Sequence, residues 1–562
     1  MNSDYRKIRQ QLYRKHPPYH NLIPVTVSYQ TTGTILIIGP EDLIRLASGQ
    51  FDSRKRVTLL ATEPISRNQQ AYLEHVMQQS QSQTVYYAKL HSISGFLGQF
   101  NVLVEQQGSL FNLAEGSIQK PHFDLIIDLG QSVYCQAPLL PVGYFHPASD
   151  DQALQKIIDS IDDYIGEFEK PRYVSVEHKS CAHSRNDLSG CTRCVDVCSA
   201  DAIRVVDNNI DIDPYLCHGS GTCVSACPTE SIRYDLPPAE SMLYNTRAVI
   251  REYFQQTRYK PVLVIHDTSF EQDKLLADLP EHFLSLSLEQ VPIIAVPHLL
   301  AFMAWGAERV LLIESTALSE TAKAQLNDQV NLANALMAHI QLPTSINVLA
   351  EHQLLDDKLA ELASFYRQDQ HIAAIASADF SSEHKQSLFY HALDHLTESV
   401  LAITQSDTEI TQIDHFFADN LDKGAISVAD DCTLCMGCVA SCPTGALIAD
   451  EASPQLSFVE RDCIQCGLCQ AACPENVISL NSRVNLNANQ RNQPVVLKQE
   501  APFLCITCGQ PFATQSMVER MLSTLAEHSA FLGHSERLKM CADCRVKDMV
   551  SEVIANPSKQ LK

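Results

Sequence analysis

The sequence has no uninterrupted apolar run of membrane-spanning length, which argues against an integral membrane segment. It also lacks a recognisable leader. Met1 to His20 is polar and basic (Arg6, Lys7, Arg9, Arg14, Lys15) with no apolar stretch behind it, so it matches neither a Sec nor a twin-arginine signal. Such a start reads as a solvated basic helix. Basic residues are scarce overall. Lys plus Arg total 42 against 66 Asp plus Glu, a formal net charge of −24, which argues against a nucleic-acid partner. The balance suits a protein that meets protein partners through acidic patches. Phosphate-binding loops are missing too. There is no Walker A sequence, and Gly39-Pro-Glu-Asp follows a strand-like run with a single glycine and no G-x-G-x-x-G. With no nucleophile–base constellation either, no catalytic residue is assigned, and no substrate-converting site is expected.

What the chain does have is cysteine. Its 20 cysteines are bunched at ligand spacings, which reads as a reduced, metal-binding protein with an expected cytoplasmic location. Cys432, Cys435, Cys438 and Cys442 precede Pro443, and Cys463, Cys466, Cys469 and Cys473 precede Pro474. Both match the C-x2-C-x2-C-x3-C-P run of bacterial two-cluster ferredoxins. Three cysteines two residues apart wrap a tight loop around one cubane. The fourth points to the neighbouring cluster, and proline stops the chain folding back over it. Structural zinc competes for one such run, but two in tandem leave it little room. Similarity to those ferredoxins implies crossed ligation, with Cys432, Cys435, Cys438 and Cys473 at one site and Cys463, Cys466, Cys469 and Cys442 at the other.

A second, irregular group lies about 240 residues earlier, which makes the two an internal repeat. Its first run is Cys181, Cys191, Cys194 and Cys198, with Leu188 where the opening cysteine would stand. Cys181 must return through a longer loop, a modest entropic cost. His183 competes as a ligand, but thiolate is the ordinary one. The second run is Cys217, Ser220, Cys223 and Cys227 before Pro228, with serine in the second place. That site could hold a three-iron cluster, a four-iron cluster completed by Ser220, His218 or water, or nothing. An occupied, labile cluster is the favoured reading. The crossed pattern places Cys181, Cys191, Cys194 and Cys227 together, and Cys198, Cys217 and Cys223 together. The expected cofactors are therefore three to four [4Fe-4S] clusters, the one near Ser220 being possible as [3Fe-4S] or absent.

Cys505-Ile-Thr-Cys508 and Cys541-Ala-Asp-Cys544 form two knuckles near the C-terminus. Four thiolates on two turns suit a closed tetrahedral site, with one zinc ion favoured over rubredoxin-type iron and a redox dithiol third. A helix is predicted over Gln515–His528. Cys135 alone stands outside these groups and reads as a small buried hydrophobe.

The remaining chain alternates strand-like and helix-like runs. Strands are predicted at Thr34–Ile38, Val57–Leu60, Asp124–Asp128, Pro261–Ile265, Val291–Val296 and Val310–Ile313. Helices are predicted at Gln69–Gln79, Asp151–Glu169, His298–Gly306, Leu318–His339, Asp356–Arg367 and Ser382–Leu396. The Asn-rich stretch Asn481–Gln493 reads as a polar linker. The expected fold class is thus a multidomain mixture of α+β and α/β. It comprises an N-terminal α/β domain (1–170), an irregular two-cluster ferredoxin domain (172–236) and a cluster-free α/β domain (244–422). A regular two-cluster ferredoxin domain (428–482) and a zinc-ribbon-like four-cysteine module (500–550) follow.

Several stretches together resemble a family of large bacterial ferredoxin-type proteins often encoded beside formate dehydrogenases. They are Ile93-Ser-Gly-Phe-Leu-Gly-Gln-Phe, Phe123-Asp-Leu-Ile-Ile-Asp-Leu, Gly166-Glu-Phe-Glu-Lys-Pro, Cys181-Ala-His-Ser-Arg, Gly190-Cys-Thr-Arg-Cys, Cys505-Ile-Thr-Cys-Gly-Gln-Pro-Phe and Leu538-Lys-Met-Cys-Ala-Asp-Cys-Arg. The resemblance implies cytoplasmic electron transfer with a redox partner, a formate dehydrogenase. It also implies cysteine where this chain has Ser220. An assembly or docking role for such a dehydrogenase is the alternative, and a flavin seated in an α/β domain a third reading. Val296-Pro-His through Trp305-Gly-Ala-Glu-Arg-Val-Leu-Leu-Ile looks like the iron–sulfur subunit of hydrogenase–disulfide reductase complexes. His298 and Glu314 stand where cysteines would be sought, so this part is expected to bind no cluster and to serve as a docking platform.

Overall fold

A computed structural model describes residues 2–17, 23–51, 56–63, 84–148, 150–185, 188–236, 238–268, 279–280, 282–343, 345–351, 377–382, 384–404, 415–419, 421–450, 453–525, 528 and 533–555. Among the described residues the chain is mixed α/β, with fifteen α-helices and several small sheets. None of these helices is long and apolar enough to cross a membrane. The predicted helices Gln69–Gln79 and Asp356–Arg367 lie outside the described residues.

The first 150 residues build a five-stranded parallel sheet in the order Val85–Tyr87, Arg56–Glu63, Thr34–Pro40, Leu125–Asp128, Tyr144–Phe145. The central strand is apolar throughout because both its faces are covered. Ile35 and Ile37 enter one apolar cluster, Leu36 and Ile38 the other, as a period of two requires. Gly39 is needed for close packing. Its φ is +152°, and a Cβ there would sit 3.0 Å from that of Leu129. Cys135 is half-buried at the edge of the second cluster.

The helix predicted over Asp151–Glu169 is shorter than expected. It runs from Asp151 to Ser160, capped by the Asp150 carboxylate, which accepts from the Gln152 and Ala153 amides. A 3-10 turn at Ile161–Tyr164 follows. Gly166 then takes a φ of +135°, and Glu167–Pro171 pairs antiparallel with Thr26–Gln30. Tertiary strand pairing overrode the helical period.

A second parallel sheet has the order Phe283–Leu288, Val262–Asp267, Arg309–Glu314, Ile346–Ala350. The predicted strand at Val291–Val296 is instead a 3-10 turn, Val291–Ile293, leading into the wholly buried helix Val296–Trp305. Pro292 and Pro297 explain this, since each removes a ladder donor and proline suits a helix's first turn. That helix lies against Lys385–Thr404. One apolar core joins this sheet and its helices to Cys194, Cys223, Cys227 and Ile232 of the irregular cysteine segment and to Leu12 near the N-terminus.

The two cysteine segments share a plan. In the irregular one Val174–Val176 pairs with Ile232–Tyr234 around a hairpin, Ile203–Val206 with Asn209–Ile212. In the regular one Gly424–Val428 pairs with Ile478–Ser482 around Leu447–Ala449 and Gln455–Phe458. The Asn-rich stretch after it is not a free linker. Arg491, 1% exposed, reaches the Asp394 carboxylate on Lys385–Thr404 and the carbonyls of Asn485 and Leu486.

Candidate iron–sulfur centres and the four-cysteine tail

In the regular segment Cys438 lies within the short helix Gly437–Ser441 and Cys469 within Leu468–Ala471, so each third cysteine is fixed by a helical turn. The loop residues on either side of the second cysteine take left-handed backbone. They are Leu434 (φ 53°) and Met436 (φ 60°) around Cys435, and Gln465 (φ 51°) and Gly467 (φ 82°) around Cys466. This folds each loop inward on itself and brings its thiols together. One small hollow is lined by Cys432, Cys435, Cys438 and Cys473, with Leu434, Leu456 and Ile478. A second is lined by Cys442, Cys463, Cys466 and Cys469, with Ile464 and Phe458. Each hollow thus takes three thiols from one run and the fourth from the other.

Thiols crowded into an apolar hollow resist ionisation. Burial, reinforced by neighbouring thiolates, pushes Cys469 up to about 12 and Cys438 up to about 11. Burial likewise takes Cys466 up to about 11. A donor set of this kind fits a positively charged iron–sulfide core lying between the thiolates.

The irregular segment keeps one half of this geometry. Gly219 (φ 79°) and Gly221 (φ 78°) flank Ser220 with the same left-handed pair that flanks Cys435 and Cys466. Both glycines are required, for a Cβ would strike the Tyr173 ring from Gly219 at 2.5 Å and Ile293 from Gly221 at 2.2 Å. The backbone that carries Cys435 and Cys466 in the regular segment is therefore repeated around Ser220. Ser220 Oγ lies 3.4 Å from Thr222 Oγ1. Burial lowers His218 to about 4, so it is neutral. Cys198, Cys217 and Cys223 are within each other's electrostatic reach here, and burial raises Cys223 well above an ordinary thiol.

In the other half Cys227, Cys191 and Cys181 lie within electrostatic reach of Cys194, which burial pushes up to about 12. Leu188–Ser189 pairs with Ser184–Arg185 to carry the longer loop. His183 is buried, with Nδ1 3.0 Å from the Cys191 carbonyl and Nε2 buried without a hydrogen-bond partner.

The cysteine groups are also neighbours of one another. Cys469 and Cys438 interact electrostatically within the regular segment, as do Cys223 and Cys194 within the irregular one. Cys191 and Cys466 interact between the two segments. Gly190 makes that junction, since a Cβ there would lie 2.7 Å from Leu468 and 2.7 Å from the Ala182 carbonyl.

Two lysines that sequence reasoning did not single out belong to the irregular segment's surroundings. Lys170, on Glu167–Pro171, donates to the Tyr215 carbonyl at 2.8 Å and the Cys217 carbonyl at 2.9 Å. Lys385 donates to the carbonyls of Val224 and, at 3.4 Å, Cys227. No local sequence signal could have found the second contact, which spans more than 150 residues. Burial pushes the Cys227 thiol up, but Lys385 and a hydrogen bond with Ser231 outweigh it, and the thiol lies below its ordinary value.

In the tail, Cys505, Cys508, Cys541 and Cys544 place their sulfurs within 4.8 Å of one another, and the Cys508 and Cys541 sulfurs are 3.8 Å apart. A tetrahedral ion with metal–sulfur bonds of about 2.3 Å needs sulfurs about 3.8 Å apart. Burial opposes ionisation of Cys505, yet the backbone N–H groups of Cys508, Cys541 and Thr507 prevail and hold it near about 6. The helix runs Gln515–Leu525. The tail is anchored on the regular segment by Thr514 Oγ1, which donates to the Thr433 carbonyl at 2.9 Å, and by Arg520 with Glu475 at 3.0 Å.

Two other sequence candidates are structural residues. His298 is buried and accepts from the Ala295 amide at 3.0 Å through Nδ1, capping its helix, and burial lowers it to about 3. Glu314 lies 3.9 Å from Lys323.

Residues 431–477 match the 4Fe-4S dicluster domain. That match makes the stretch an iron–sulfur, ferredoxin-type domain with at least one [4Fe-4S] cluster and an electron-transfer role. No curated protein sequence matches the chain.

Proposed function

We propose that the chain is a cytoplasmic polyferredoxin whose four cysteine groups form one row. Its order is Cys432/Cys435/Cys438/Cys473, then Cys442/Cys463/Cys466/Cys469, then Cys181/Cys191/Cys194/Cys227, then Cys198/Cys217/Cys223 with Ser220. The observation that carries this reading is the junction at Gly190 and Leu468, where Cys191 and Cys466 come within each other's field. When bound, each cluster supplies reversible one-electron storage. The protein's own residues hold the thiolates, exclude water and fix the spacing. The five domains are proposed at the boundaries given above, with structural zinc in the tail. The resemblance noted in the sequence supports a formate dehydrogenase as the redox partner. A docking or assembly role for that enzyme is the second reading, favoured by the exposure of Cys508 beside the tail's metal-binding thiols.

The test is to purify the full chain without oxygen and measure iron, sulfide and zinc. The relay reading expects about fifteen or sixteen irons with one zinc, and reversible one-electron couples. Fewer than about eight irons would overturn it. Full iron without reversible couples would favour the assembly reading.

A further inference from the structure

We infer that Lys385 and Lys170 set the potentials of the irregular segment and make it the electron-attracting half of the row. The inference rests on reading the cysteine groups as cluster sites. Lys385 opens the helix Lys385–Thr404 and is 7% exposed, with its ammonium on the carbonyls of Val224 and Cys227. A buried ammonium held by carbonyls alone is costly unless a negative charge lies close by. Burial disfavours the Lys385 ammonium, and Cys227, Glu230 and Asp422 lie close enough to act the other way. Asp422 is itself taken by Lys423 at 2.9 Å. Lys170 repeats the arrangement at the next site. It is anchored on the carbonyls of Tyr215 and Cys217, and burial lowers it to about 8 while Cys217 and Asp213 act the other way.

Neither lysine comes from the cysteine segment itself. Each is lent by a neighbouring structural element and reaches the backbone beside a cysteine. The regular segment has a weaker counterpart. Lys498 donates to the Asp430 carbonyl near Cys432, but in an exposed bond, with the Glu500 carboxylate 3.8 Å away to neutralise it.

An added electron makes a cluster more negative, so a fixed cation beside it raises the reduction potential. Burial alone disfavours the extra charge, but it also strengthens the field of an ammonium already in place. The irregular segment should therefore reduce first. No bond forms or breaks as an electron passes along the row. One site is oxidised as its neighbour is reduced, with a low-potential one-electron reductant supplying the first electron.

The test is a redox titration of the full chain with dithionite, followed by electron paramagnetic resonance and accompanied by iron analysis. Lys385→Met should lower one midpoint potential and Lys170→Met a different one, with the couples of the regular segment unmoved. Lys385→Arg should restore the first. Unmoved potentials at full iron content would overturn the inference alone, while a wild type without iron would overturn the relay reading with it. Should Lys385→Met shed iron, the wild type decides. Its first electron must appear in signals that survive Cys438→Ser and Cys469→Ser in the regular segment, and its appearance in signals that those substitutions remove contradicts the inference.

Discussion

The two cysteine segments share one strand-and-hairpin plan in two settings. The regular one, 431–477, sits on its own small core, and Cys435 is exposed to solvent. The irregular one has only a few core residues of its own, Ala200, Ala202 and Leu216, and is otherwise built into a shared core. Cys194, Cys223 and Cys227 are buried in a cluster that continues through Leu263, Phe302 and Leu393. Its loop carries Ser220 and its first run departs from the usual spacing, and surrounding elements supply Ile293, Lys170 and Lys385 around it. Regular spacing marks a site that its own sequence can build. Irregular spacing here goes with cysteines embedded in the rest of the fold.

The sharpest way to break this comparison is to damage each segment in turn. Cys194→Ser puts a polar hydroxyl into the shared core and should destabilise the chain by about 2–3 kcal/mol, visible as earlier unfolding of the whole core in denaturant. Cys469→Ser should cost iron at its own site and leave that unfolding transition in place. Equal effects on the shared core would mean that the segments are not differently embedded.

A smaller effect is expected at the junction. Gly190→Val must push against Leu468 and the Ala182 carbonyl, a cost of about 1–3 kcal/mol in thermal unfolding. Spin–spin interaction between the segments should weaken with it. Smaller still is Ser220→Cys, which restores a thiol to a loop already in cluster conformation. It should add one iron and turn a three-iron signal into a four-iron one, read by iron analysis and resonance of the oxidised protein. An unchanged spectrum would contradict the placement of Ser220.

Stability against pH gives a separate test, through His298. Its folded value lies near about 3, below the ordinary 6.5, so its contribution is complete above pH 6.5 and is lost as pH falls toward 3. The expected slope is about 1.4 kcal/mol per pH unit in that window. His298→Gln should flatten it in denaturant titrations at several pH values.

Much of this architecture was legible because ligand spacing and strand composition are local signals. The two complete cysteine runs, the tail knuckles and the apolar strands at Thr34, Val262 and Arg309 could be read directly. What escaped depended on distant partners. Glu167–Pro171 is a strand because Thr26–Gln30 pairs with it, and Arg491 is buried because Asp394 lies across from it. Lys385 has no meaning in its own stretch of sequence, since its partners are Val224 and Cys227. The Ser220 loop is the intermediate case. Its glycines hinted at the turn, but only the structure placed them at the positions that flank Cys435 and Cys466.

The central claim is that two separated segments make one continuous row. It is tested most directly by electron paramagnetic resonance of the anaerobic, dithionite-reduced full chain, compared with Gly190→Val. The account predicts a broadened, spin-coupled spectrum whose coupling falls in the variant while iron content holds. A sum of independent signals, identical in both proteins, would contradict it.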